Sequence, residues 1–235
     1  MGHMKIGVIG AMHEEVVSLI GQLEGDHATL LSDMEFHEGS LRGVPVVVVQ
    51  CGMGLVSAAM CAQTVINHFG ATHVINTGVA GSLDASLDIG DLVISTDAVQ
   101  HDMDTTDLGY APGQNPGTGD VFYPADQKLI ATVAQAAAQV APDITAHRGR
   151  IASGDQFVAS HEARERIIGL FGASCCEMEG SAIAQVCKRN QVPYVIVRAI
   201  SDKADGSSVV DYPTFEEQAA HHCARIVTRA IELLA

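Results

Sequence analysis

Short β-branched runs alternate with stretches of helical spacing along the whole chain. Lys5-Ile6-Gly7-Val8-Ile9-Gly10 predicts a strand buried on both faces, because its apolar residues do not alternate with polar ones. From Ala11 to Leu23 the apolar residues recur at helical spacing, with Val16, Val17, Leu19, Ile20 and Leu23 on the inner face. Pro45 to Gln50 predicts the next strand, and Leu55 to Phe69 the next helix. Further strands are expected at His73 to Thr77, Asp91 to Ser95, Arg148 to Ser153 and Tyr194 to Ala199. Helices are expected at Gln127 to Val140, His161 to Leu170, Gly180 to Asn190 and Thr214 to Leu234. Buried strands joined by helices predict an α/β fold: a three-layer α/β/α domain around a central mixed, largely parallel sheet.

The stretch Met103 to Asp120 breaks the pattern with Gly109, Pro112, Gly113, Pro116, Gly117 and Gly119. Loops of that length are usually functional or mobile. No repeat, low-complexity tract or composition shift marks a linker, so one domain over residues 4–235 is expected. Residues 1–3, Met1-Gly2-His3, read as the remnant of an added tag, with the natural chain starting at Met4.

Composition narrows the partners. Hydrophobic residues make up 47% of the 235 and charged residues 17%, which supplies a sizeable core and argues against disorder. The net charge is −15 and no basic cluster offsets it, which excludes nucleic acid and anionic membranes as partners. A small neutral or cationic ligand meets no such penalty. No apolar run approaches the roughly 18 residues of a membrane span, and no signal-peptide pattern precedes the first strand, so a cytoplasmic protein is expected. The 6 cysteines sit in apolar segments without a C-x-x-C pair, which predicts buried, reduced thiols.

Several motifs fail on inspection. Gly52-Met53-Gly54 follows a strand and opens a helix, but Ser57 stands where a dinucleotide loop needs its third glycine. It is either a tight turn or a row of backbone amides lining a pocket. The acidic loop His101-Asp102-Met103-Asp104 places Asp107 and Gly113 where an EF-hand needs glycine and glutamate. His13-Glu14 lacks the second histidine of a zinc motif, and the 11 histidines are scattered with no G-x-S-x-G elbow. Neither a metal nor a cofactor is expected.

Carboxylates cluster instead where sheet chemistry usually happens, beyond strand ends and at helix starts. Gly10-Ala11-Met12-His13-Glu14-Glu15 combines small residues with acids in a first helical turn. That arrangement serves either helix-dipole compensation or a ligand approached by backbone. Cys175-Cys176-Glu177-Met178-Glu179-Gly180 puts two acids inside an apolar segment. Burial there is costly unless something binds them, and sugar hydroxyls suit a carboxylate; a solvent-facing acid pair is the alternative. The strand from Val195 delivers Arg198, Ser201 and Asp202 to its edge in quick succession. An aspartate in part-apolar surroundings suits a general acid at neutral pH.

In order along the chain, Gly10-Ala-Met-x-Glu-Glu15, Asn76-Thr-Gly-Val-Ala-Gly81, Ser153-Gly-Asp-Gln-Phe157, Glu177-Met-Glu179 and Arg198-Ala-Ile-Ser-Asp202 resemble the bacterial 5′-methylthioadenosine/S-adenosylhomocysteine nucleosidases, within the purine nucleoside phosphorylase superfamily. The likeness runs from Lys5 to the C-terminus. It implies a phosphorylase/hydrolase-like fold and hydrolysis of the adenine–ribosyl bond in 5′-methylthioadenosine, S-adenosylhomocysteine and 5′-deoxyadenosine. Carried over by residue, Glu15 is the base for the attacking water, and Asp202, held by Ser201, protonates or hydrogen-bonds N7 of adenine. Glu179 takes the 2′ and 3′ hydroxyls, Met178 packs under the ribose, and Glu177 belongs to the same segment. Phe157 stacks on the base and the Val158 backbone reads its edge. Met12 lies near the ribosyl group, and Arg198 assists Glu179 or the water.

The resemblance also implies a homodimer, with Leu108, Tyr110, Pro116 and Tyr212 at positions that line a 5′-substituent pocket across the interface. Val79 and Leu108 depart from the usual Ser and Phe. Val79-Ala-Gly-Ser82, Gln100-His-Asp102 and Gly154-Asp-Gln-Phe157 resemble the branch that also accepts 6-amino-6-deoxyfutalosine in menaquinone synthesis. The competing readings are a phosphorylase, disfavoured because the first loop has an acid and no arginine where phosphate would bind, and a non-catalytic nucleoside-binding protein.

Overall fold

The first apolar run forms β1 (Ile6–Gly10), buried at every residue because it lies between two neighbours. It pairs in parallel with β4 (Val44–Gln50) on one side and β5 (His73–Ser82) on the other. The computed structural model describes residues 4–204 and 208–235, with the side chains of 208–214 outside that description. Helix α1 spans His13–Ile20, shorter at both ends than its apolar spacing predicts. Its start is set by Met12 as N-cap, and the chain turns off at Gly21.

Between α1 and β4 the chain forms an antiparallel hairpin, β2 (Glu24–Leu31) and β3 (Met34–Leu41), that its sequence does not announce. β2 is almost wholly exposed, so it has no apolar stripe to betray it; the ladder from β4 through β3 holds it in place. Helix α2 covers Leu55–Asn67, followed by β5 and β6 (Leu92–Gln100). Beyond β6, the segment expected to be irregular contains only a single 3₁₀ turn at Thr106–Leu108 before the short β7 (Phe122–Pro124).

Helix α3 is Gln127–Val140, started by Asp126, whose carboxylate accepts from the Leu129 N–H at 2.9 Å. Strand β8 is Ala146–Ser153, and α4 is His161–Phe171, capped by Ser160 and closed by Gly172 in the left-handed region. The last elements are β9 (Cys175–Glu177), α5 (Gly180–Asn190), β10 (Tyr194–Asp202) and α6 (Ser208–Leu234).

The strand pairings correct one expectation: the sheet is mixed, with parallel and antiparallel pairings equally represented, rather than largely parallel. The edge hairpin and the antiparallel contact of β10 with β6 account for much of this, and neither follows from a strand–helix–strand alternation. The same pairings curl one end of the sheet into a ring. β5 pairs with β10, β10 with β6, β6 with β8, β8 with β9, and β9 returns to β5 at Gly81 and Cys176. That closure brings the ends of β5, β8, β9 and β10 together, although they are far apart in sequence.

Helices α1 and α3 pack on α6, which lies against β5 and β10, while α2 packs on α5. The main core joins these helices to the strands, and a smaller cluster around Val99, Val158, Ile167 and Phe171 supports the loop after β8. All 6 cysteines are free and buried.

Candidate active site

Where β1 ends, Gly10 leaves room for the side chain of Glu15 to fold back over the strand. Glu15 Oε2 accepts from the Ala11 N–H at 2.6 Å and the Met12 N–H at 3.1 Å. Its Oε1 accepts from the Val79 N–H, in the middle of β5, at 3.0 Å. The bland reading of this acid, dipole compensation in solvent, does not hold, since Glu15 is buried. Burial raises its carboxyl above the ordinary value, opposed by the Arg198 charge and by the amides of Met12, Val79 and Ala11.

Arg198 lies fully buried in the middle of β10. Its Nη2 donates to Asn76 Oδ1 at 2.6 Å and to Glu177 Oε2, and lies 3.7 Å from Glu179 Oε2. Burial lowers its pKa, but the charges of Glu177, Glu15 and Glu179 outweigh this and hold the guanidinium protonated. Gly78 makes the cluster possible, because any side chain there would collide with both Arg198 Nη1 and Glu15 Oε1.

The two acids of the Glu177-Met178-Glu179 segment have different fates. Glu177 Oε1 accepts from the Ser153 hydroxyl, and both its oxygens accept from the Gly180 N–H, at 3.1 and 2.8 Å. With Arg198 and the Glu179 N–H also donating to Oε2, its acceptor capacity is committed to holding the site together. Glu179 accepts from the Gly54 N–H at 2.9 Å and otherwise faces the cavity. Burial, then the charge of Glu177, pushes its carboxyl up to about 7. The Gly52-Met53-Gly54 segment is thus both a tight turn, with φ of +79° and +100° at its glycines, and a supplier of an amide to the site.

On the far side, β10 carries a bulge: Ile200 pairs with Ala80 and Asp202 with Gly81, leaving Ser201 outside the register. The bulge turns both side chains toward the cavity. The Ser201 hydroxyl donates to Asp202 Oδ2 at 2.9 Å, with the Ala80 carbonyl 3.4 Å away. Asp202 Oδ1 accepts from the Ala204 N–H at 2.8 Å, and Gly81 gives it room.

These groups border one cavity of about 570 Å³, its open mouth included. Met12, Glu15, Val79, Phe157, Val158, Glu177, Met178, Glu179, Ser201 and Asp202 all line it, and Arg198 stands directly behind its carboxylates. Phe157 is half exposed at the rim and Val158 is buried. Leu108, Tyr110 and Pro116 do not join them: they lie exposed on the long loop and do not line this cavity. The Tyr212 side chain lies outside the described residues. Asn76 and Ser153, which have no assigned role in the sequence motifs, orient Arg198 and Glu177. An asparagine within an apolar strand was the available signal for the first.

Among the described residues lining the cavity there are four carboxylates, Glu15, Glu177, Glu179 and Asp202, and no cationic side chain. Such a wall repels an anion and accepts hydroxyl groups, water and a base that gains a proton.

Residues 5–232 match the family described as the phosphorylase superfamily. The chain is 43% identical over 232 residues to the 5′-methylthioadenosine/S-adenosylhomocysteine nucleosidase of Geobacillus kaustophilus, covering 98% of each chain. Among solved structures it is similar to that nucleosidase from Neisseria meningitidis in complex with methylthio-immucillin-A, with a TM-score of 0.94 and 36% identity over 97% of this chain and 99% of that one. It is also similar to a futalosine hydrolase mutant of Helicobacter pylori, with a TM-score of 0.92 and 33% identity over 98% and 99% of the two chains.

Proposed function

The chain belongs to the phosphorylase superfamily and, within it, to the 5′-methylthioadenosine/S-adenosylhomocysteine nucleosidases, and from that premise we propose that Glu15 and Asp202 divide the hydrolysis between them. The reaction splits the adenine–ribosyl bond with water. The sugar carbon gains positive charge as the bond stretches, and the base gains negative charge. Glu15 orients the water and takes its proton as oxygen bonds to C1′. The electron pair of the broken bond leaves with adenine, and Asp202 delivers a proton to N7 so that the base departs neutral. Glu179 receives the 2′ and 3′ hydroxyls, Met178 and Met12 pack about the ribose, Phe157 covers the base and the Val158 backbone reads its edge.

The observation that carries this reading is that, among the described residues, every charged side chain lining the cavity is a carboxylate. A phosphorylase needs cations where its phosphate sits, whereas Arg198 stands behind the lining with Nη2 donating to Glu177 and Asn76. A binding module has no need of two separately held acids. Purified protein should release adenine from 5′-methylthioadenosine and S-adenosylhomocysteine in phosphate-free buffer. Release only with phosphate would make it a phosphorylase, and no release would make it a binding protein.

Val79 keeps its amide on Glu15, so replacing the usual Ser leaves the base anchored while making the wall apolar. With the likeness to a futalosine hydrolase, this supports extending the substrates to 5′-deoxyadenosine and 6-amino-6-deoxyfutalosine. The protein acts as a homodimer in this reading. Leu108, Tyr110 and Pro116 turn to a partner's 5′-substituent pocket, and the exposed stripe of Met53, Val56 and Met60 on and beside α2 provides an apolar face for a second copy. Two helix groups, α1 and α3 with α6 and α2 with α5, support a three-layer domain over residues 4–235, and the free thiols support a cytoplasmic setting.

Glu179 gives a pH prediction. Its carboxyl, pushed up to about 7 in the free protein, falls when two hydroxyls donate to the anion. At pH below about 7 the nucleoside therefore displaces a proton, and its Kd rises as pH falls, by up to about tenfold per unit. Calorimetry in two buffers of different ionisation enthalpy measures that proton directly. An affinity that is level from about pH 6 to 8 would remove Glu179 from the hydroxyl site.

A further inference from the structure

The loop after β8 carries Phe157 and Val158 into the cavity, and its first residues are tied from several directions. The Gly154 N–H donates to the Glu177 carbonyl at 3.2 Å, and a side chain on Gly154 would come within 2.5 Å of the buried His101. The Asp155 N–H donates to Asp102 Oδ2 at 2.8 Å, and the other oxygen of Asp102 accepts from Gln100 Nε2 at 2.9 Å. The acidic segment that fails as a metal loop thus has a different employment: it anchors the base loop.

Asp155 reaches further still. Its carboxylate accepts from the N–H of Leu55, the first residue of α2, at 2.8 Å. The helix has no cap of its own, because its N-cap is Gly54. Gly54 in turn donates its N–H to Glu179 at 2.9 Å, and a side chain on Gly54 would stand 3.0 Å from Asp155 Oδ1. One turn of backbone is therefore clamped from outside by Asp155 and presents an amide inward to Glu179.

We propose that Asp155, itself set by Asp102, is a positioning residue that locks the Gly54–Leu55 turn to the base loop and so fixes the separation between Glu179 and Phe157. This rests on the reading of Glu179 as the ribose group and Phe157 as the base platform. Both make contacts that exist before the bond breaks, so loosening them weakens substrate binding rather than the chemical step. Among the described residues Glu15 is anchored by Ala11, Met12 and Val79, and the anchors of Asp202 include Ser201 and Ala204, none of them Asp155. A residue that only capped α2 would cost stability and leave KM alone.

The test is steady-state kinetics with 5′-methylthioadenosine on Asp155→Ala and Asp155→Asn. Alanine should raise KM about tenfold while kcat stays within about threefold. Asparagine, whose side-chain oxygen still accepts from Leu55, should restore KM to within about threefold of the parent. An unchanged KM in folded Asp155→Ala, or a loss confined to kcat, would overturn the assignment. If that variant does not fold, Asp102→Ala frees the Asp155 amide and should raise KM in the same way; an unchanged KM there is equally fatal. Adenine affinity measured by calorimetry on the same proteins separates the two levels. A parent that binds adenine but releases none sinks the hydrolase reading, while the parent-to-variant ratio of adenine Kd still judges Asp155.

Discussion

Asp202→Asn lowers adenine release from 5′-methylthioadenosine by about 10²–10⁴-fold, the usual worth of a general acid, and leaves nucleoside affinity within about threefold. Asparagine is a close isostere here. Its side-chain oxygen still accepts from the Ala204 N–H, and its amide donates to the Ser201 hydroxyl, which can turn to the Ala80 carbonyl 3.4 Å away. The amide can also hydrogen-bond the base, but it has no proton to surrender. The variant should therefore keep its fold and its ligand and lose turnover alone. Single-turnover kinetics beside equilibrium binding makes the distinction, and turnover near the parent value would take the acid role from Asp202.

Glu15→Gln is expected to cost as much in rate and, unlike the first substitution, to cost stability. The carboxylate takes three backbone N–H groups on two oxygens, from Ala11 and Met12 on one side and Val79 on the other. Glutamine has one acceptor oxygen, so its NH₂ must face at least one buried donor. An unsatisfied buried group costs about 1–3 kcal/mol, which denaturant unfolding resolves. The rate loss has a separate origin, since the amide cannot take a proton from water, and should again be about 10²–10⁴-fold. An active Glu15→Gln enzyme would mean that water is activated elsewhere; an inactive one of unaltered stability would contradict the anchoring geometry.

Elements with their own end signals were legible. Helices α3 and α5 run over the same residues that apolar spacing predicts, Gln127–Val140 and Gly180–Asn190. The hairpin β2–β3 was not legible, because exposed edge strands take their order from the ladder to β4. Strand β5 was expected to stop at Thr77 and continues to Ser82. Its extension holds Gly78 and Gly81, which weaken a strand pattern and are there because Arg198, Glu15 and Asp202 press against the backbone. Strand β9 is three residues long and merges into an apolar segment, so nothing local separates it from the helix that follows.

The site divides in the same way. Glu177 and Glu179 stand out in the sequence as charges inside an apolar segment, whereas Glu15 sits in a first helical turn, where an acid is ordinary, and the family resemblance supplied the roles. What separates Glu177 from Glu179, two positions apart, is contact with Ser153 and Arg198, which the strand ring brings near, and with Gly54, which comes from the turn before α2. The partnerships of Asn76 with Arg198 and of Asp155 with Leu55 span more than a third of the chain and leave no mark in local pattern.

Attack of water on C1′, in a cavity whose charged lining residues are carboxylates, underlies each of these proposals. Turnover of 5′-methylthioadenosine in H₂¹⁸O without phosphate, followed by mass spectrometry of both products, tests it most directly. One ¹⁸O atom is expected in the released 5-methylthioribose and none in adenine. A sugar that appears only as its 1-phosphate when phosphate is added, with no adenine released in its absence, would contradict it.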